Sequence, residues 1–148
     1  MNKGRLAVAI GLLVAVLALA HLPFSVREAR AADSGAYAMQ LGKLINDYRA
    51  RRRLPSLSMD PVLSRLAAEH AMHMAGENRL SHEGFEQRFA QARSPRCVEN
   101  VGVGAGGPEQ AFDAWRQSAV HDRNLRDGSI TRMGIGVDAG YVAFFACR

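Results

Sequence analysis

Apolar and polar positions alternate along this chain in three different rhythms. Residues 6–22 form one uninterrupted apolar run. Further on, Tyr37, Leu41, Leu44, Ile45 and Tyr48 recur three and four apart and make a single stripe, which predicts a helix over 37–53. Leu54-Pro55 closes it, because the residue before a proline is driven out of helical geometry. Asp60-Pro61 reads as an N-cap followed by proline at the first helical position. The helix it opens ends near 76–78, with Leu63, Leu66, Ala67, His70, Ala71 and Met74 buried and Glu69 and Met72 turned outward. Residues 85–91 read as a short helical turn, 97–101 as a short strand, and Gly102, Gly104, Gly106 and Gly107 as a loop. Pro108-Glu109 opens a third helix reaching about Gln117, with Phe112 and Trp115 on one face. Strand-like segments over 132–137 and 141–146 flank Asp138-Ala139-Gly140, a hairpin pattern. Helices at the front and a hairpin at the end predict an α+β fold with a small antiparallel sheet.

The first rhythm belongs to export rather than to a core. Lys3 and Arg5 precede the apolar run, His21 and Pro23 close it, and Ala29-Arg30-Ala31 offers small residues at cleavage spacing. This is the layout of a secretory signal peptide over residues 1–31, with Ala18-Leu19-Ala20 as a second cleavage candidate. The competing explanation is an uncleaved anchor, for which a 17-residue run is at the short limit. Both readings put residues 32–148 outside the cytoplasm, as a periplasmic or extracellular domain or a membrane-anchored one. Charge looks different once the leader is set aside. The whole chain carries +5; the leader, with Lys3, Arg5, Arg27 and Arg30 against Glu28, takes +3 of it and leaves +2. A nucleic-acid partner is therefore not expected. Arg51-Arg52-Arg53 reads first as a solvated helix end favoured by the helix dipole, and second as a phosphate or lipid-headgroup contact.

Two cysteines, Cys97 and Cys147, lie in the exported part. In an oxidising compartment the simplest reading is a disulfide, which over a loop of about 50 residues is worth roughly 4 kcal/mol on a chain-entropy estimate. Two buried free thiols are the alternative. Neither cysteine has a CxxC partner or a neighbouring histidine to make it a catalyst.

Four separated pieces then carry the chemistry: Asn46-x-x-Arg49 before Leu54-Pro55-Ser56-Leu57; Ser81-His82; Glu99-Asn100-Val101; and Trp115-x-x-Ser118-x-x-His121-x-x-Asn124-Leu125. With Gly134-Ile135-Gly136 before the last strand, their order resembles the CAP superfamily of cysteine-rich secretory proteins, venom allergens and plant pathogenesis-related proteins, with its bacterial SCP-like members. The resemblance covers about residues 38–147. It implies a three-layer α-β-α sandwich and a cleft lined by two histidines and two acids. By position His82 and His121 correspond to the histidines and Glu99 to the first acid. Ser118 stands where the second acid would fall, so the tetrad is reduced to a triad and a hydroxyl. Val120 stands where a glycine often precedes the second histidine.

As chemistry, two imidazoles and a carboxylate are a three-ligand set for a divalent metal such as zinc with one open position. The competing explanation is that His82 and His121 bond Glu99 and hold loops together. Ser118 and His121, three apart, would meet if one helix ran through both, and with Glu99 behind them would mimic a nucleophile–base–orienter relay. His70 and His73 form another histidine pair, but His70 lies in the apolar stripe and reads as a core residue. The leading expectation is a non-catalytic domain whose His82/Glu99/His121 cleft binds a small apolar ligand, lipid or envelope component. A metal-assisted or serine-based hydrolase is the rival. A structural module held at the membrane by an uncleaved leader is the third reading.

Overall fold

A computed structural model describes the backbone of residues 24–104 and 106–148. The apolar run 6–22 and most of the predicted signal peptide lie outside the described residues. The chain divides into two compact units, Met1–Asp33 and Ser34–Arg148, and every described strand belongs to the second. Among the described residues, no helix is long and apolar enough to cross a membrane.

Helix α1 spans Phe24–Ala50 and starts well before its apolar stripe. Residues 28–33 are exposed and rich in alanine and arginine, so intrinsic propensity rather than packing carries this stretch. At its other end Arg51–Arg53 are a turn instead of helix. Arg53 takes a left-handed φ of 58°, and the Leu54 N–H donates to the Arg49 carbonyl at 3.1 Å. Strand β1, Ser58–Met59, leads into α2, Pro61–Glu77. The Asp60 carboxylate accepts from the Val62 and Leu63 N–H groups, and Asn78 closes the helix in the left-handed conformation. The six residues of the predicted stripe are all buried. Next come α3, Phe85–Ala92, β2, Cys97–Val103, α4, Pro108–Gln117, and α5, Ala119–Leu125. The chain closes on β3, Arg132–Asp138, and β4, Tyr141–Cys147. Ala139 and Gly140, at φ of 45° and 83°, make the hairpin turn, where two positive angles match the twist of the flanking strands. Two features lie outside the sequence reading. Strand β2 runs on through Gly102, and α5 is a separate short helix.

The sheet order is β1-β3-β4-β2. The small antiparallel sheet expected from sequence is corrected here: β1 pairs with β3 in parallel, so the sheet is mixed. A two-residue strand shows no alternation. It is made by backbone pairing alone, with Ser58 N–H donating to the Thr131 carbonyl and Asp60 N–H to the Met133 carbonyl, at 3.0 and 2.8 Å. β2–β4 and β3–β4 are antiparallel, and Cys97 faces Cys147 in register with their sulfurs bonded.

Helices cover both faces, giving the three-layer α-β-α sandwich. On one face Leu41, Ile45 and Tyr48 of α1, Phe112 and Trp115 of α4 and Leu125 of α5 pack on Met133, Ile135 and Phe144. On the other, Leu63, Leu66, Ala67 and Met74 of α2 and Ala92 of α3 pack on Val101, Ala143 and Phe145. The second interface depends on missing side chains. A Cβ at Gly134 would stand 2.0 Å from the Leu63 carbonyl carbon, and one at Gly136 would stand 2.2 Å from that of Ala67. Strand β3 therefore presents bare backbone to α2, so the helix lies directly on the sheet.

Gly134→Ala or Gly136→Ala must displace that helix and is expected to destabilise the domain by about 2 kcal/mol or more, a drop in Tm on the order of 10 °C. Gly76→Ala, with nothing within 4 Å of the added methyl, is expected to raise stability by up to about 1 kcal/mol. Thermal melts of the three variants check both signs.

Candidate functional site

The site is built around Glu99, in the middle of β2. Its side chain points to the α2/α3 side of the sheet and is 2% exposed. A carboxylate this deep stays ionised only with matching charge and full hydrogen bonding. Arg88 of α3 supplies both, donating from Nε to Oε2 at 2.8 Å and from Nη2 to Oε1 at 2.9 Å. Such a two-point fork is the geometry in which a guanidinium holds a carboxylate most firmly. His82 adds a third contact, its Nδ1 lying 2.9 Å from Oε1. A carboxylate oxygen only accepts, so Nδ1 carries the hydrogen, and in the neutral ring Nε2 keeps the free lone pair. The His82 side chain is 53% exposed.

The segment bearing His82 is held from both sides. His70 of α2, 3% exposed, donates from Nε2 to the Ser81 carbonyl at 2.8 Å and lies 3.8 Å from Glu99 Oε1. Arg88 Nη1 donates to the Glu83 carbonyl at 2.8 Å. Gly84, at a φ of 75°, then turns the chain from His82 into α3, a conformation that favours glycine. Arg88 escaped the sequence reading. The available signal was its position in α3: with Phe85 and Ala92 at spacings of three and four it falls on the inward face, where an unpaired arginine cannot remain. His70, read as a core residue, is buried as expected and also positions Ser81.

His121 stands on the far side of β2. Neighbouring residues of a strand point to opposite faces, so Asn100 turns toward α5 where Glu99 turns toward α3. Asn100 is fully buried; its Nδ2 donates to the His121 carbonyl at 3.1 Å, and its Oδ1 accepts from Asn124 Nδ2 at 2.8 Å. Asn124 also donates to the Glu99 carbonyl at 3.1 Å, and Trp115 Nε1 to the Val101 carbonyl at 3.1 Å. The structure thus joins His82 directly to Glu99. His121 comes near enough to His82 to feel its charge: burial first, and His82 second, hold the His121 ring below the usual histidine value. No hydrogen bond or ion pair among the described residues joins Glu99 to His121.

Two chemical expectations meet this geometry. A three-ligand metal site needs the carboxylate and both rings turned to one point, whereas Glu99 faces Arg88 through both oxygens and His82 through the ring's Nδ1. Among the described residues no three His, Cys, Asp or Glu side chains are grouped to hold an ion. His82, His121 and Glu99 therefore do not fit a shared metal as they stand. Ser118 is extended, at φ −89° and ψ 118°, and separates α4 from α5. No single helix carries both it and His121, and no hydrogen bond among the described residues joins the two side chains.

A cleft of about 530 Å³ lies elsewhere, on the α1/α4 face. Tyr37, Val103, Ala111, Ala114, Trp115 and Val142 line it together with glycines of β2 and the adjoining turns, and Gln110 adds an amide. None of His82, Glu99, Ser118 or His121 lines it. The two sites share β2, which passes from Glu99-Asn100 straight into Gly102-Val103.

Arg88→Met leaves the Glu99 carboxylate buried without its countercharge and is expected to cost about 3–5 kcal/mol, most of it recovered by adding Glu99→Leu. Chemical denaturation of the single and double variants measures this. The pH dependence has a defined sign. Burial holds His70 below its ordinary pKa, so below about pH 6.5 the unfolded chain binds a proton that the native state refuses. Stability is expected to fall as the medium is acidified below that point, by up to about 1.4 kcal/mol per pH unit for this group. A denaturation series from pH 7 to pH 5 (about the histidine range), flatter in His70→Gln, is the check.

Comparison with known proteins follows the same lines. The profile of the cysteine-rich secretory protein family, CAP, matches residues 43–147. The uncharacterized protein YkwD of Bacillus subtilis is 27% identical over 115 residues, in an alignment that covers 72% of this chain and 45% of YkwD. This chain therefore spans less than half the length of that relative. An extracellular protein containing an SCP domain from Bacillus anthracis has the same fold, with a TM-score of 0.74 at 24% identity, over 78% of this chain and 41% of that one. An outer surface protein from Borrelia burgdorferi superposes with a TM-score of 0.66 at 20% identity, over 74% of this chain and 91% of that one. Motif order, layered α+β architecture and profile agree, and the chain belongs to the CAP family of cysteine-rich secretory proteins.

Proposed function

We propose that this chain is an exported, non-catalytic binding domain that takes a small apolar ligand, such as a lipid chain, in the cleft between α1, α4 and the end of β2. The observation that carries the reading is the lining of that cleft. Aromatic rings and small side chains surround about 530 Å³, with one amide and one phenol at hand to orient a polar end. Sites for small apolar ligands have this make-up and size. The His/Glu centre then has a supporting role. Glu99, Arg88, His70 and His82 hold the 81–84 segment, while Asn100 and Asn124 fix α5 against the strand that leads into the cleft. The leader motif and the extracellular or outer-surface descriptions of two structural relatives support export.

A hydrolase is the other reading. His82, with Nε2 free and exposed, has the orientation of a general base. No hydrogen bond among the described residues joins it to a serine, threonine or cysteine, and the Glu99 carboxylate behind it is shared with Arg88. This favours binding over turnover.

Trp115 is the single tryptophan of the chain and forms a wall of the cleft, so its emission reports occupancy directly. Titration with cis-parinaric acid is expected to be saturable and to shift Trp115 fluorescence. Ala114→Phe, which fills the cleft from an exposed position, is expected to weaken binding at least tenfold, about 1.4 kcal/mol, without lowering Tm. Wild-type protein that shows no saturable binding would rule the reading out.

A further inference from the structure

We infer that the end of the domain formed by the close of α1, the close of α5 and the start of β2 and β3 is a docking surface for an anionic phospholipid bilayer. The feature is invisible in composition, since the exported part is nearly balanced in charge. Folding sorts that charge. Arg51, Arg52 and Arg53 project from the turn after α1 and are exposed. Arg49 fastens this turn to α5 by donating to the Leu125 and Asp127 carbonyls at 2.9 and 2.8 Å. That contact brings Arg123 and Arg126 of α5 to the same end. Asp127 in turn holds Arg96, whose carbonyl accepts from the Arg148 N–H at 3.0 Å, and the Arg148 carbonyl lies 3.3 Å from Arg132 Nε and Nη2. One connected surface therefore carries Arg51, Arg52, Arg53, Arg96, Arg123, Arg126, Arg132 and Arg148.

The acids at this end do not cancel the field outside. Asp60, Asp122 and Asp127 are the inner members of their pairs, with side chains 18%, 16% and 10% exposed, while their partners Arg132, Arg126 and Arg96 are 30%, 46% and 56% exposed. Positive groups thus form the outer layer. No carboxylate among the described residues pairs with Arg51, Arg53 or Arg123. Arg52 sits over the Tyr48 ring, its guanidinium carbon 3.8 Å from the ring centre, which holds it without neutralising it. Glu77, Glu109 and Asp138 stand at the opposite end, where α2 closes, α4 opens and β3 finishes. The domain is therefore a charge dipole with one preferred orientation toward an anionic plane.

The occupant follows from charge and shape. Guanidinium groups favour phosphate, which their fork meets at two points. The cleft between α1 and α4 lies at the far end of β2, away from this surface. A broad array of eight cations drawn from several elements suits a plane of headgroups. The sequence alone favours a solvated helix cap for residues 51–53; what the fold adds is the five further arginines brought to the same surface.

Full-length wild type is compared with R51Q/R53Q/R123Q and R51K/R53K/R123K on phosphatidylcholine vesicles with and without about 30% phosphatidylglycerol, at about 0.05 M and about 1 M salt. The N-terminal segment is common to all three and cancels. Each lost charge is expected to weaken partitioning into anionic vesicles about fivefold, and the glutamine triple about a hundredfold, at low salt. The lysine triple should stay within a few fold of wild type. The difference should vanish at high salt and on pure phosphatidylcholine. Should the triple fail to melt like wild type, the single variants R51Q, R53Q and R123Q carry the same test at fivefold each. Equal partitioning of wild type and glutamine variants on anionic vesicles overturns the inference. So does retention of wild type alone by soluble polyphosphate without any vesicle difference, which would make the partner a polymer.

Discussion

A carboxylate out of reach of water has to be answered by a cation fixed at hydrogen-bond distance, and much of this domain's working end is arranged to satisfy Glu99. Arg88 meets that demand, and meeting it sets where α3 lies. Because Arg88 also holds the Glu83 carbonyl and His70 the Ser81 carbonyl, the short segment between α2 and α3 has little freedom. The exposed His82 ring is oriented through its contact with the same carboxylate. A buried pair of this kind contributes little net stability relative to apolar residues of the same shape. Its value here is positional, since removing either partner leaves an uncompensated charge.

The neighbouring residue does the equivalent for the other layer. Strand geometry sends Glu99 and Asn100 to opposite sides, and each organises the element above it: α3 through Arg88, α5 through Asn124 and the His121 carbonyl. Glu-Asn in the edge strand is thus a two-sided joint. This explains how His82 can act on His121, 39 positions further along the chain, although only His82 touches the carboxylate.

How much of this could be read beforehand depended on how far each signal reached along the chain. Local signals did well. The α2 stripe from Leu63 to Met74, the Asp60 cap and the Ala139-Gly140 turn depend on neighbours within one helical turn or one hairpin. The Cys97–Cys147 pairing was legible because two cysteines leave a single combination. Signals that depend on distant partners were missed. β1 is two residues long and exists only because β3 lies beside it. Arg88 looks like an ordinary surface arginine until Glu99 is known to face it. The first helix starts ahead of its stripe, because the exposed residues 28–33 carry no apolar pattern to read. The break at Ser118 separates two helices that together read as one loosely patterned stretch. Of the site, its members His82, Glu99 and His121 were visible in the chain; the wiring among them was not.

The side-chain contacts along β2 have a consequence for how the protein fares in a crowded compartment. β2 is an outermost strand, and an uncovered strand border offers a row of unmet donors and acceptors on which another polypeptide can pair. Asn124 and Trp115 occupy the carbonyls of Glu99 and Val101 and lay α4 and α5 alongside that border. Asn124 and the cleft residue Trp115 therefore guard the sheet against self-association, and substitutions there bear on solubility.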